Sequence, residues 1–184
     1  HGAYSTPLGV IEVDPAALSA LAEQVPIARV RRDPEHSLEI ELPFLQRALG
    51  GPFSLVPLML RDQSLAGARR LGRALAEVLG SAQQTLLAAS SDLSHFYPDA
   101  AARELDQVML ERIAAFDAEG VIEAEEQGQA FACGRGAIAT VLIAARELGA
   151  DAVQIVGYGT SADASGDTSR VVGYGAAAIY RAGA

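Results

Sequence analysis

At 184 residues, half of them hydrophobic, the chain is long enough for one domain with a sizeable core, built in the absence of tryptophan from Ala, Leu, Val and Ile. Fourteen Lys and Arg against 23 Asp and Glu leave a formal net charge of −9, which argues against a nucleic-acid binder and admits at most a small anion held by local arginines. A single cysteine allows no internal disulfide, no apolar run reaches the ~18 residues of a membrane span, and no signal peptide is expected, so the expected setting is reducing, cytoplasmic and away from any membrane.

The chain opens without an initiator Met, on His1-Gly2-Ala3-Tyr4-Ser5-Thr6-Pro7-Leu8-Gly9, which reads as the middle of a fold whose N-terminal segment is missing. Residues 10–14 alternate and are β-branched, the pattern of a strand. Asp14 and Pro15 then supply an N-cap and a first helical residue for a helix through about Glu23. Residues 35–49 place Leu38, Leu42, Leu45 and Leu49 on one helical face, with Pro43 as a kink or a second start and Gly50-Gly51-Pro52 as the stop. Residues 53–60 read as a buried strand, and residues 64–79 as a helix with Leu65, Ala68, Leu71, Leu75 and Val78 inward. Residues 85–89, Thr-Leu-Leu-Ala-Ala, form another apolar run and predict a strand that delivers Ser90-Ser91-Asp92-Leu93-Ser94-His95 at its carboxyl end. Helices follow at 100–116, 120–127 and 134–148, a strand at 152–158, a Ser/Asp/Gly-rich loop at 159–169, and a closing strand at 171–180. Alternating strands and helices, several strands apolar on both faces, indicate a single α/β domain spanning 1–184 with a layered sheet flanked by helices.

The ionisable chemistry is sparse. His36 and Glu39 are three apart, which on a helix would place them on one face, either as a metal ligand with a carboxylate partner or as a solvated helix start. Asp92 and His95 share one loop, as an acid–base pair on a bound substrate or as a capping aspartate beside a solvated histidine. Cys133 stands immediately before Gly134 and an Ala-rich helix. A helix start favours the thiolate that binds metals or attacks, while free cysteines commonly serve as small buried hydrophobes.

Together these stretches carry a resemblance. Glu35-His36-Ser37-Leu38-Glu39-Ile40-Glu41-Leu42-Pro43-Phe44-Leu45 resembles the signature of the Memo family, known in prokaryotes as protein B of the AmmeMemoRadiSam system. The likeness continues in family order through Thr6-Pro7-Leu8-Gly9, Ser90 to His95, Cys133-Gly134, Gly157-Tyr158-Gly159-Thr160-Ser161, Ser165-Gly166-Asp167 and Val171-Val172-Gly173-Tyr174. It implies a fold similar to class III extradiol dioxygenases, which open catechol rings with non-haem iron(II). It also implies a metal pocket in which His36 and Cys133 are ligands and Asp92 and His95 line the site. N and S donors suit iron, copper or zinc better than magnesium or calcium. The family's other ligand histidine belongs to an early segment upstream of Thr-Pro-Leu-Gly; His1 adjoins that stretch too closely to be it, so the site is expected to be incomplete in this chain.

Three functions follow as expectations. The first is a Memo-like metal-binding protein with a dioxygenase-related, redox-active pocket, functionally linked to a radical-SAM protein. The second is a non-catalytic module that binds a phosphorylated or otherwise anionic peptide or small molecule, with Arg135 as the basic residue near the motifs. The third is true extradiol ring opening, ranked last because a cysteine in place of a carboxylate changes the charge and softness of the site.

Overall fold

The computed structural model describes residues 2–30, 35–80 and 84–183. The chain separates into two compact units, His1–Met59 and Leu60–Ala184. His1 lies outside the described residues.

In the first unit, β1 (Ala3–Thr6) and β2 (Gly9–Glu12) form an antiparallel hairpin in which Ala3 faces Glu12 and Thr6 faces Gly9. The strand expected over residues 10–14 thus ends two residues early, and Val13 makes only an isolated parallel bridge to Leu55. The capped helix is present as α1 (Pro15–Gln24): Asp14 Oδ1 accepts the N–H groups of Ala16 at 3.0 Å and Ala17 at 2.9 Å. The helix expected over residues 35–49 is corrected to α2 (Leu42–Leu49), preceded by turns over residues 37–41. Pro43 is the cause. With no N–H to donate, it is tolerated only in a helix's first turn, so the helix begins around it. The strand expected over residues 53–60 is also corrected, because among the described residues only Leu55 finds a backbone partner there.

The second unit contains α3 (Leu65–Leu79), β3 (His95–Tyr97), α4 (Asp99–Ala114), α5 (Ala118–Glu126), α6 (Arg135–Glu147), β4 (Ala152–Thr160), the single-turn α7 (Ala162–Ser165) and β5 (Val171–Tyr180). Ser64 caps α3 by accepting the Gly67 N–H at 3.1 Å. The strands form an antiparallel sheet in the order β3-β5-β4, with β4 and β5 in register from Ala152 opposite Tyr180 to Thr160 opposite Gly173. Residues 85–89 have no regular structure and join no sheet among the described residues, which corrects the expected strand.

The core of this unit is the periodic face of α4 (Met109, Leu110, Ile113) packed with Leu93, Val121 and Leu142. Each such fully buried side chain contributes about 1.5–3 kcal/mol of transfer free energy. The architecture is mixed α/β, with small antiparallel sheets flanked by helices. No helix among the described residues is long and apolar enough to cross a membrane.

Candidate functional site

The second unit brings three of the four expected site residues together. Asp92, on the loop entering β3, His95, the first residue of β3, and Cys133, on the loop entering α6, meet here, and the two loops are stitched to each other by backbone and thiol. The Cys133 N–H donates to the Asp92 carbonyl at 3.2 Å, and the Asp92 N–H donates to Cys133 Sγ at 3.3 Å. The Gly134 N–H donates to Ser91 Oγ at 2.8 Å, and that hydroxyl lies 3.7 Å from the sulfur. On the far side, Gln63 spans the start of α6: its amide donates to the Cys133 carbonyl at 2.9 Å and its carbonyl accepts the Gly136 N–H at 3.0 Å. The Cys-Gly pair has a steric reason. A Cβ at position 134 would lie 2.7 Å from the Ser90 carbonyl oxygen and 2.8 Å from Ser91 Cβ, so only glycine lets the loops approach this closely. The thiol itself is exposed.

His95 lies 3.4 Å, Nε2 to Oδ2, from the Asp92 carboxylate. The contact lacks hydrogen-bond geometry: Nε2 is a buried atom with no hydrogen-bond partner. The ring is flanked by Phe131 and Phe96, with centroids at 5.2 and 5.7 Å. Phe96 is the extra residue of a β-bulge, since His95 faces Val172 while Tyr97 faces the adjacent Val171. It holds a φ of 64°, a left-handed conformation that costs a bulky residue about 1–2 kcal/mol. The bulge turns Phe96 outward, 63% exposed and stacked under the Arg170 guanidinium at 5.2 Å, while His95 stays partly covered.

The loop is anchored from beneath by a buried carboxylate outside the family-like motifs. Asp106, fully buried on α4, accepts the N–H of the buried Ser94 at 2.8 Å with one oxygen and the Tyr158 hydroxyl at 2.8 Å with the other. Burial, and next the bond to Asp106, push the Tyr158 hydroxyl well above the ordinary phenol range, so it stays a donor. Gly173 completes the fit, since a Cβ there would collide with the Asp106 carboxyl. A sequence signal for Asp106 existed: it interrupts the apolar stripe Ala102, Met109, Leu110, Ile113 at helical spacing.

His36 belongs to the first unit and is exposed there. It precedes the turns rather than starting a helix, so His36 and the exposed Glu39 do not share a helix face as the spacing predicts. Glu35 Oε1 accepts the N–H groups of His36 and Ser37, each at 2.9 Å, and these bonds hold the Glu35 carboxyl below its ordinary range. Arg135 is already engaged: its guanidinium pairs with Glu125 at 3.1 Å, both partly buried.

Among the described residues no group of three His, Cys, Asp or Glu side chains is placed to hold a metal ion. In donor type, however, an exposed thiol beside an imidazole and a carboxylate fits the iron, copper and zinc class.

Comparison with known proteins gives the family. The model of Memo-like proteins matches residues 1–178. The chain belongs to the Memo family. A MEMO1 family protein of Nitrosopumilus maritimus is 38% identical over 176 residues, covering 94% of this chain and 64% of that protein. Another from Methanopyrus kandleri is 37% identical over 186 residues, covering 99% of this chain and 65% of its own length. A third from Caldivirga maquilingensis is 37% identical over 188 residues, with 98% and 65% covered. This Memo-family chain therefore spans just under two thirds of the length of the curated relatives it matches.

Proposed function

We propose that this Memo-family chain binds a transition-metal ion of the iron, copper or zinc class, with Cys133 as a ligand, and that Asp92 and His95 act as an acid–base pair on a small-molecule or peptide ligand. One observation carries the reading. His95 Nε2 is buried without a hydrogen-bond partner, on the same loop whose Asp92 N–H holds the Cys133 sulfur. A buried polar nitrogen left unpaired costs about 1–3 kcal/mol, a cost relieved when a bound group supplies the partner.

The residues then divide the work. Cys133 offers a soft sulfur at an exposed position, fixed by the Asp92 N–H and by the Ser91 hydroxyl that pins Gly134. His95 gives or takes a proton at Nε2, and Asp92, 3.4 Å away, balances the charge that the ring acquires. Phe96 and Phe131 lie tilted against the ring. A bound ion would contribute Lewis acidity or one-electron redox chemistry. Thiolate ligation in place of a carboxylate argues for redox or binding chemistry ahead of catechol ring opening. The anionic-ligand reading is weaker, because its basic residue, Arg135, is neutralised by Glu125. A link to a radical-SAM partner remains part of the proposal through the family resemblance alone, and a cytoplasmic setting through the single cysteine and the lack of a long apolar run.

Elemental analysis of anaerobically purified protein tests this directly. Wild-type protein is expected to carry iron, copper or zinc, with the content reduced in Cys133→Ser. Unchanged metal content in that variant would sink the reading.

A further inference from the structure

From Ala132 to Gly134, the turn that carries the thiol, every backbone N–H and C=O has a partner. Glu125 accepts the Ala132 N–H at 3.1 Å, the Asp92 carbonyl accepts the Cys133 N–H at 3.2 Å, and Ser91 Oγ accepts the Gly134 N–H at 2.8 Å. The Ala132 carbonyl accepts from the Arg135 N–H and the Gly134 carbonyl from the Ile138 N–H, each at 3.0 Å. That leaves the carbonyl of Cys133 itself. Its donor is the side-chain amide of Gln63, 70 residues upstream, at 2.9 Å.

The same amide has a second task. α6 starts on Gly134, which has no side chain to cap the helix, so the N–H groups of its first turn need acceptors from elsewhere. Gln63 Oε1 is one, taking the Gly136 N–H at 3.0 Å. Gln63 is placed by its own neighbours: Asp62 accepts the Ser64 N–H at 3.1 Å, and Ser64 caps α3. The approach is close, since a Cβ at position 136 would stand 2.9 Å from Gln63 Cα.

Stability does not require this arrangement. α6 buries Ala139, Leu142 and Ala144 and forms through that packing, while its exposed start can bond water. Ordering a glutamine costs side-chain entropy that two hydrogen bonds near the surface barely offset. What the bonds secure is geometry. A glutamine amide donates and accepts from one rigid plane, which fixes the Cys133 peptide and the first turn of α6 against each other.

We infer that Gln63 is the positioning residue of Cys133: it locks the Cys133–Gly134 peptide and so sets the direction in which Sγ leaves the turn, toward the Asp92 N–H. Without Gln63 the thiol swings away and the Asp92 N–H loses its acceptor. The inference goes beyond Cys133 as a ligand, and it rests on that reading for its consequence, a preset sulfur whose metal affinity depends on Gln63.

The test uses the 184-residue chain and two variants. Gln63→Met keeps the length and removes both bonds. Gln63→Glu keeps the acceptor for Gly136 and turns the contact with the Cys133 carbonyl repulsive. The first readout needs no metal: the Asp92 amide proton in a proton–nitrogen NMR spectrum, with Cys133→Ala marking its position once the sulfur is gone. Both Gln63 variants are expected to move that resonance at least about halfway to the Cys133→Ala position. Gln63→Glu should keep its thermal midpoint within about 2 °C of wild type, because the carboxylate still caps α6 at its positive end. The second readout is anaerobic cobalt(II) titration, in which both variants should lose about tenfold or more in affinity. An unmoved Asp92 resonance in either variant would overturn the inference; a shift in Gln63→Glu alone makes charge, not the clamp, its cause. A Gln63→Glu midpoint that falls along with the shift would also overturn it, by making Gln63 a residue of the fold. So would a shifted resonance with wild-type cobalt affinity. Absence of cobalt binding to the wild type would instead sink the reading of Cys133 as a ligand, and the resonance would still decide whether Gln63 positions the thiol.

Discussion

Replacing Asp106 with alanine is the sharpest structural test of how the candidate site is held. The buried carboxyl satisfies two donors at once, the Ser94 N–H and the Tyr158 hydroxyl, each at 2.8 Å. Removing it leaves both without an acceptor, and each orphaned donor costs about 1–3 kcal/mol. Relief of the desolvated carboxyl offsets part of that loss. The expected net destabilisation of Asp106→Ala is therefore about 2–5 kcal/mol. Asp106→Asn should cost less, about 1 kcal/mol, because its amide keeps one acceptor for Ser94 and offers an N–H to the phenol oxygen. The assay is urea unfolding followed by circular dichroism, since the chain has no tryptophan to report by fluorescence. A loss below about 0.5 kcal/mol for the alanine variant, or an asparagine variant worse than alanine, would refute the reasoning.

Three further outcomes are expected. Gly134→Ala forces a methyl against the Ser90 carbonyl oxygen and should cost about 1–3 kcal/mol, with thiol alkylation at Cys133 changed as the loops part; wild-type stability and alkylation rate would contradict this. Tyr158 should ionise well above the ordinary phenol range in an ultraviolet difference titration, chiefly because it is buried. Because its folded value is raised, its contribution to stability is complete below the unfolded phenol value of about 10 and is lost as pH rises through the folded one, so Tyr158→Phe should flatten the alkaline limb of the stability profile. Asp99 is held low chiefly by its bond to Arg103 and then by the Thr160 hydroxyl. Its contribution is present above its ordinary value of 3.8 and is lost as pH falls through the lower folded value, so wild type and Asp99→Asn should converge in stability in strong acid.

What the sequence made legible follows from how local each signal is. The helices at 64–79, 100–116 and 134–148 were readable because apolar periodicity is encoded within each segment, aided by the Ser64 cap of α3 and by Gly80 and Gly149 just past α3 and α6, and they stand as α3, α4 and α6. The closing strand, β5, matched at both ends. Residues 53–60 and 85–89 misled because an apolar run specifies a strand only when a partner completes the ladder, and that partner is non-local. Leucine spacing over residues 35–49 was outweighed by one backbone fact, the missing N–H of Pro43. In the candidate site, the motifs pointed to Asp92, His95 and Cys133, which the fold does bring together. Phe96 and Phe131 gave no such signal: bracketing an imidazole depends on a bulge and on chain crossings that spacing does not encode.

The central claim is that Cys133 is a metal ligand. Anaerobic titration of the chain with copper(II) or cobalt(II), followed by absorption spectroscopy, tests it most directly. A thiolate-to-metal charge-transfer band that saturates near one equivalent and disappears in Cys133→Ser is the predicted result. No such band, or the same band in the serine variant, would contradict the account.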